Sequence, residues 1–322
     1  MPSTPPVPRY GMTIPFDGLP LADQRDWIVE LADLGYTDVW SSEANGTDAF
    51  TPLALAAAWS PSLRLGCAIV PSFTRGPALM AQSVAAMTEA APGRFVFGIG
   101  TSSNVIVENW NGIPFKEPYK QTRDMVRFLK RALAGEKVDE TYDTFRVKGF
   151  RLGRKPPEVP PILVGALRPG MLRMASREAE GAIINWLSAE DVKQVAPEVG
   201  PGKEIVARIF VCPSTDAETV RGMAKFAIAA YLNVPVYAAF HDWMGRGEQL
   251  APMWEAWKSG DRKAALAAIP DSLVDELIVH GSPEACKEHI DRYFDNGVTT
   301  AALAVMPFGI DGRQAVRDLA PA

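Results

Sequence analysis

The chain of 322 residues contains few cysteines and few histidines, three of each. The cysteines stand far apart and form no CxxC pair: Cys67, Cys212 and Cys286. This spacing excludes a disulfide-stabilised scaffold and predicts reduced thiols. The histidines are equally dispersed, so the sequence predicts no metal site. GxSxG, HExxH and P-loop motifs are also missing, so hydrolase and zinc-enzyme functions lack support.

The chain has no excess of positive charge and no long apolar run. Its 33 Lys and Arg against 38 Asp and Glu give a net charge of -5, which argues against a nucleic-acid partner. No run approaches the roughly 18 apolar residues of a membrane span. Residues 1–8 are rich in proline and lack the basic and apolar blocks of a signal peptide. We therefore expect a cytoplasmic protein that contacts neither nucleic acid nor membrane.

Short apolar runs alternate with helical patterns along most of the chain. The runs predict strands at Arg9–Ile14, Thr37–Glu43, Leu63–Val70, Phe95–Gly100, Pro161–Leu167, Ala182–Leu187, Ile205–Cys212 and Thr300–Met306. Continuous apolar strands separated by helices are typical of a parallel sheet covered on both faces. About eight such units predict an α/β fold in which the sheet closes into a (β/α)8 barrel. A doubly wound open sheet is the alternative, although it usually has fewer strands.

The segment Phe226–Leu277 does not fit a short connection between barrel elements. It is long, helical and aromatic, with no strand pattern of its own. A segment of this length inside a barrel is more often an added helical lobe or an oligomer contact than a second domain. We therefore expect one domain over residues 1–322 with a helical insertion at about 226–277.

Two glycine-containing loops follow predicted strands at the barrel end where active sites form. Gly98–Ser103 combines small residues with three hydroxyls, a pattern typical of backbone that closely approaches an anion. Gly165–Gly170 leads into a helix and contains Arg168, which can neutralise a phosphate. The two loops together favour one phosphorylated cofactor, and ordinary strand-to-loop turns are the alternative.

Two ionisable side chains are candidates for catalysis. Glu43 ends the second predicted strand, where a carboxylate can accept a hydrogen bond or relay a proton. A salt bridge or a contact with a helix N-terminus is the alternative for Glu43. His241 lies between Phe240 and Trp243 in the aromatic segment, and it is the histidine best placed for a site.

Several segments taken together resemble one family in order and spacing. They are TDVWSSE, LRLGCAIV, GRFVFGIGTSS, PPILVGALRPGMLRMASREAEGAIINW and SPEACKEHIDRYFDNGVTT. Over about residues 10–307 the chain resembles the luciferase-like flavin and deazaflavin oxidoreductase superfamily, and within it the subgroup that depends on coenzyme F420. The resemblance implies a (β/α)8 barrel with insertions, a homodimer, and coenzyme F420 as cofactor, with FMN as the alternative.

The resemblance also implies roles for particular residues. In such proteins a non-prolyl cis peptide in the third strand supports the back of the tricyclic ring, and Ala68–Ile69 matches that position. The remaining matches concern the cofactor phosphate at two loops and the substrate at one strand end. They are Thr101, Ser102, Ser103, Gly165 and Ala166 for the cofactor, and Asn185 and Trp186 for the substrate.

One departure from the family pattern limits the choice of substrate. The sugar-phosphate dehydrogenases of the family have a histidine after the acidic residue of strand two, where this chain has Ala44, and an acidic residue where it has Ser103. We therefore expect an F420-dependent oxidoreductase that transfers a hydride between the deazaflavin and another small organic substrate. An FMN-dependent monooxygenase is one alternative, and a catalytically inactive ligand-binding barrel, suggested by the missing histidine, is another.

Overall fold

Eight parallel strands close into a barrel in the computed structural model, which describes residues 7–321. The strands of the chain are β1 (Arg9–Thr13), β2 (Asp38–Ser41), β3 (Arg64–Cys67), β4 (Val70–Pro71), β5 (Phe95–Gly100), β6 (Val138–Thr141), β7 (Arg146–Phe150), β8 (Ile162–Gly165), β9 (Gly181–Asn185), β10 (Glu204–Cys212), β11 (Ile278–His280) and β12 (Thr300–Val305). The ring runs β1, β2, β3, β5, β8, β9, β10, β12 and back to β1. The predicted (β/α)8 barrel is confirmed.

Three additions to the ring differ from the predicted strands. The two-residue strand β4 pairs with β5 because the chain leaves β3 after Cys67 and rejoins the sheet at Val70. Strand β11 pairs in parallel with the carboxyl-terminal end of β10, at Phe210–Cys212. Strands β6 and β7 form an antiparallel hairpin outside the barrel. These elements are too short or too polar to produce a buried-strand pattern in the sequence.

Helices connect the strands and cover the outside of the barrel. They are α1 (Arg25–Asp33), α2 (Phe50–Trp59), α3 (Pro77–Ala90), α4 (Pro118–Leu133), α5 (Pro169–Glu178), α6 (Val192–Val199), α7 (Ala217–Leu232), α8 (Pro235–Trp243), α9 (Gly247–Lys258), α10 (Arg262–Ala267), α11 (Asp271–Leu277), α12 (Pro283–Asp295) and α13 (Gly312–Asp318). Of the helices within residues 7–321, none alone has the length and apolarity of a membrane span; α7 and α8 meet that test only as a pair bent by 102°.

The segment that follows β5 contains a helical turn. Residues Val105–Trp110 form a short π-helix. Val107 is fully buried, and the Ser103 hydroxyl accepts a hydrogen bond from the Ile106 N–H at 3.4 Å. Burial of an apolar residue and this local cap therefore give the loop a helical turn.

Helices α7 to α11 contain the aromatic segment Phe226–Leu277. The helical stretch begins at Ala217, earlier than the predicted start at Phe226. Buried residues from these helices form a second core with Phe210 and Trp186 at the edge of the barrel; among them are Ile228, Leu232, Leu250 and Met253. We propose that the helices are an insertion within a single domain.

Side chains fill the barrel interior in layers, as in other barrels of this type. Trp40, Val96, Leu163, Ile183, Val206 and Ala302 form the middle layer. At the amino-terminal end, the fully buried Asp38 accepts hydrogen bonds from Arg9 and Arg64, and Arg64 also pairs with Glu204. The charges at this end are thus matched.

Candidate functional site

An apolar floor lies at the carboxyl-terminal end of the barrel. The peptide bond between Ala68 and Ile69 is cis, as the resemblance implies. A Cβ built on Gly100 would lie 3.1 Å from Ile69 Cγ1, and one built on Gly165 would lie 3.1 Å from Ile69 Cγ2. The Ile69 side chain therefore packs directly over two glycines from neighbouring strands. Glycine at both positions lets the Ile69 side chain lie against the two strands, and we call the apolar surface formed by Ile69, Gly100 and Gly165 the cradle.

The two loops predicted to bind phosphate start next to each other. Strands β5 and β8 are neighbours, and a Cβ on Gly100 would be 3.6 Å from the Gly165 Cα. Ser102 has a φ of 60°, and the Thr101 hydroxyl donates to its carbonyl oxygen at 3.1 Å. Arg168 is exposed at the start of α5 and forms no salt bridge within residues 7–321. This arrangement agrees with a shared anion site, which stays a prediction.

Glu43 forms a salt bridge and accepts a backbone hydrogen bond. Its carboxylate lies 2.6 and 2.7 Å from two guanidinium nitrogens of Arg75 and accepts a hydrogen bond from the Ala49 N–H at 3.1 Å. The Arg75 guanidinium also lies 5.0 Å from the centre of the Phe50 ring. These contacts correspond to the salt-bridge alternative for Glu43. Its action on a proton or on the cofactor stays a prediction.

His241 is completely buried in α8. Neither ring nitrogen has a hydrogen-bond partner among the described residues. Burial, followed by the charge of Arg246, lowers the pKa of His241 to about 4. The imidazole is therefore neutral at pH 7. Arg246 is held by Asp191 at 2.9 Å and by Glu276 at 2.8 Å. The catalytic role predicted for His241 stays a prediction.

Of the two residues matched to the substrate site, Trp186 belongs to an aromatic wall formed by Trp186, Phe210, Tyr231 and Tyr237, and Asn185 contacts it. Trp186 has a φ of 54° and is 1% exposed, and its ring centre lies 4.1 Å from that of Phe210. The Trp186 ring centre is 4.9 Å from that of Tyr231. Asn185 donates from Nδ2 to the Tyr237 hydroxyl at 3.2 Å. Burial raises the pKa of Tyr237 to about 12, so its hydroxyl stays protonated at neutral pH.

Four buried polar atoms without partners lie on the inward faces of barrel strands. They are Thr13 Oγ1, Trp40 Nε1, Asn185 Oδ1 and Arg208 Nε. Alternation along β10 puts Arg208 on the same inward face as Val206, which belongs to the middle layer. Buried polar groups in native proteins nearly always have partners. Unpaired atoms at this end are therefore suited to a bound polar molecule.

The sequence predictions missed several of these residues. Thr13, Arg208, Phe210 and Tyr237 were each placed within an apolar run or the helical segment without a role. A usable signal was present for Arg208, because an arginine in the middle of the run IVARIFVC must face either the barrel interior or the helices. No such signal existed for Tyr237, whose position depends on how the insertion folds back.

Comparisons with known proteins agree with this geometry. The family model for luciferase-like monooxygenases matches residues 6–300. The chain is 26% identical over 298 residues to the 5,10-methylenetetrahydromethanopterin reductase of Methanolobus tindarius, covering 88% of this chain and 90% of that one. It is 27% identical over 244 residues to the F420-dependent glucose-6-phosphate dehydrogenase of Rhodococcus hoagii, covering 73% and 71%.

A solved structure has the same fold. It is the coenzyme F420-dependent tetrahydromethanopterin reductase from Methanopyrus kandleri. The TM-score is 0.80 with 20% sequence identity, over 98% of this chain and 97% of that one. The barrel and its surrounding helices are therefore shared from end to end.

Proposed function

The chain belongs to the luciferase-like monooxygenase family, and from that premise we propose that it is an oxidoreductase that uses coenzyme F420. Of the two relatives described above, one is a 5,10-methylenetetrahydromethanopterin reductase and the other is an F420-dependent dehydrogenase by name. The observation that carries the proposal is the floor made by Ile69 over Gly100 and Gly165, next to unpaired polar atoms. The substrate we propose is a small organic molecule.

The described residues fit the deazaflavin. Ile69, Gly100 and Gly165 would support the flat ring, because they form an apolar surface at the ends of neighbouring strands. Thr101, Ser102, Ser103, Ala166 and Arg168 would hold the phosphate. When bound, coenzyme F420 supplies the hydride carrier, and the protein supplies binding, orientation and electrostatics.

The protein's own contribution is the aromatic wall at the ends of β9 and β10. Trp186 and Phe210 are buried and give the wall an apolar face. The Tyr237 hydroxyl keeps its proton, so it can donate a hydrogen bond to a substrate oxygen while it accepts one from Asn185. The Glu43–Arg75 pair holds the loop after β2 against the loop after β4 and thereby fixes one side of the site.

Sugar-phosphate oxidation by the constellation of the related dehydrogenases is not part of the proposal. Ala44 is exposed where they have a histidine, and the Ser103 hydroxyl caps the π-helix where they have an acidic residue. Neither side chain can exchange a proton near neutral pH. A different substrate, with a different source of protons, follows from these two positions.

An anaerobic titration tests the cofactor. We expect the purified protein to quench the fluorescence of coenzyme F420 saturably in the micromolar range and to bind FMN at least tenfold more weakly. Gly165→Val places a side chain against Ile69, since a Cβ there would lie 3.1 Å from Ile69 Cγ2, and should weaken F420 binding, whereas Gly153→Ala, which adds a methyl group in open space, should not. Tight retention of FMN, or no F420 binding at high micromolar concentration, would refute the proposal.

A further inference from the structure

Arg208 is a cation inside the barrel without a counter-charge. It lies in β10, and its Nε is buried with no hydrogen-bond partner. No carboxylate among residues 7–321 lies within salt-bridge distance of its guanidinium. Arg208 is partly exposed, so its guanidinium is accessible to a ligand, while a buried N–H donor left without a partner is costly and is commonly satisfied by a bound group.

The other charges on the inward faces of the barrel strands are matched. Arg9 and Arg64 share Asp38, and Arg64 also pairs with Glu204, all at the amino-terminal end. Beyond the strand ends, Glu43 is neutralised by Arg75. Among the described inward-facing residues, Arg208 therefore carries the one unbalanced charge, and it lies toward the end that holds the proposed cofactor cradle.

The groups around Arg208 define a small binding surface. Its Cα pairs in register with that of Asn185 on the neighbouring strand, so both side chains point inward side by side. The guanidinium lies 4.9 Å from the centre of the Phe210 ring, which stacks on Trp186. The Tyr237 hydroxyl accepts a hydrogen bond from Asn185 Nδ2 at 3.2 Å and is thereby held beside this pair. A cation, a hydroxyl donor and flat aromatic faces thus meet at one place.

We propose that Arg208, Tyr237 and Asn185 form a subsite that binds the carboxylate of a flat organic acid as the substrate. This inference rests on the proposed function, because it assumes that the reaction takes place at this end of the barrel. A guanidinium presents parallel N–H donors that match the two oxygens of a carboxylate. Phe210 and Trp186 favour a planar, conjugated group next to it.

The position of Arg208 separates this subsite from the phosphate loops. Those loops follow β5 and β8, whereas Arg208 is on β10, with β9 between β8 and β10. Arg168 is already present beside the loops to neutralise a phosphate. Arg208 is therefore a specificity-determining residue for the substrate and not part of the cofactor's phosphate site.

Calorimetric binding of two acid and amide pairs tests the subsite without turnover. Benzoate and cinnamate are compared with benzamide and cinnamamide on the wild-type protein without cofactor. We expect at least one acid to bind at least tenfold more tightly than its amide. Arg208→Met should remove this preference, and Arg208→Lys, which keeps the charge but loses the paired donors, should retain part of it.

Matched controls separate this inference from the cofactor proposal. Arg262→Met also removes a guanidinium stacked on an aromatic ring, 3.9 Å from the centre of Trp257, and should leave acid binding unchanged. Thermal unfolding checks that each variant is folded, and F420 titration is run on the same samples. Equal binding of acids and amides, or unchanged acid binding by folded Arg208→Met, would overturn the subsite even if F420 binds normally. Loss of F420 binding in that variant with no acid preference in the wild type would assign Arg208 to the cofactor.

Discussion

Alanine in place of Gly98 is expected to lower the free energy of unfolding by more than about 3 kcal/mol. A Cβ at this position would lie 1.9 Å from the Cys67 carbonyl oxygen and 2.4 Å from Ile183 Cδ1. The nearer atom belongs to the backbone of a neighbouring barrel strand, so no change of rotamer removes the clash. Urea denaturation of the purified variant measures the loss, and failure to obtain soluble protein is its extreme form.

Gly170→Ala is the matched control for this substitution. Gly170 lies in the first turn of α5, where an added Cβ meets nothing within 4 Å. The same methyl group should there be neutral or raise the free energy of unfolding by about 0.5–1 kcal/mol, because alanine favours the helix. If Gly98→Ala unfolds at the same urea concentration as the wild type, Gly98 does not lie as close to the Cys67 backbone as the structure shows.

The second large effect is expected at Asp38, which balances the charges at the other end of the barrel. Asp38→Ala should cost about 3 kcal/mol of unfolding free energy, the lower end for breaking a buried ion pair. Asp38 is fully buried and accepts hydrogen bonds from Arg9 Nε at 2.9 Å and from Arg64 Nε at 2.5 Å. Arg64 keeps Glu204 as a partner, which limits the loss.

Asp143→Ala provides the comparison for Asp38. Asp143 pairs with Arg123 at 2.8 Å, but its side chain is 56% exposed. An exposed ion pair is worth at most about 1 kcal/mol, so this variant should unfold close to the wild type. Similar losses for the two aspartates, measured by urea denaturation in the same buffer, would show that burial of Asp38 does not control its contribution.

The barrel was predictable because buried parallel strands carry the clearest pattern in the chain. A strand covered by helices on one side and by the barrel interior on the other is apolar on both faces, as in the run from Phe95 to Gly100. Short additions such as β4 could not be predicted, because their pairing depends on where the chain separates from the adjacent strand and rejoins the sheet. The cis peptide at Ala68–Ile69 followed from the resemblance and not from the residues themselves.

The site was predictable in part. Contacts between residues far apart in the sequence could not be predicted. The glycine loops were found because small residues at strand ends are a local pattern. The pairing of Glu43 with Arg75 joins residues 32 apart, and no local pattern indicates it. An arginine in the apolar run of β10 is a signal in the sequence, but only the fold shows that Arg208 faces inward without a carboxylate nearby.

The most direct test of the proposed site is a crystal structure of the protein with coenzyme F420. We expect density for the deazaflavin ring against Ile69, with its phosphate at residues 101–103 and 165–168 and one ring face open toward the aromatic wall. A ring bound anywhere else, or a cradle that stays empty in crystals grown at saturating coenzyme, would contradict the account.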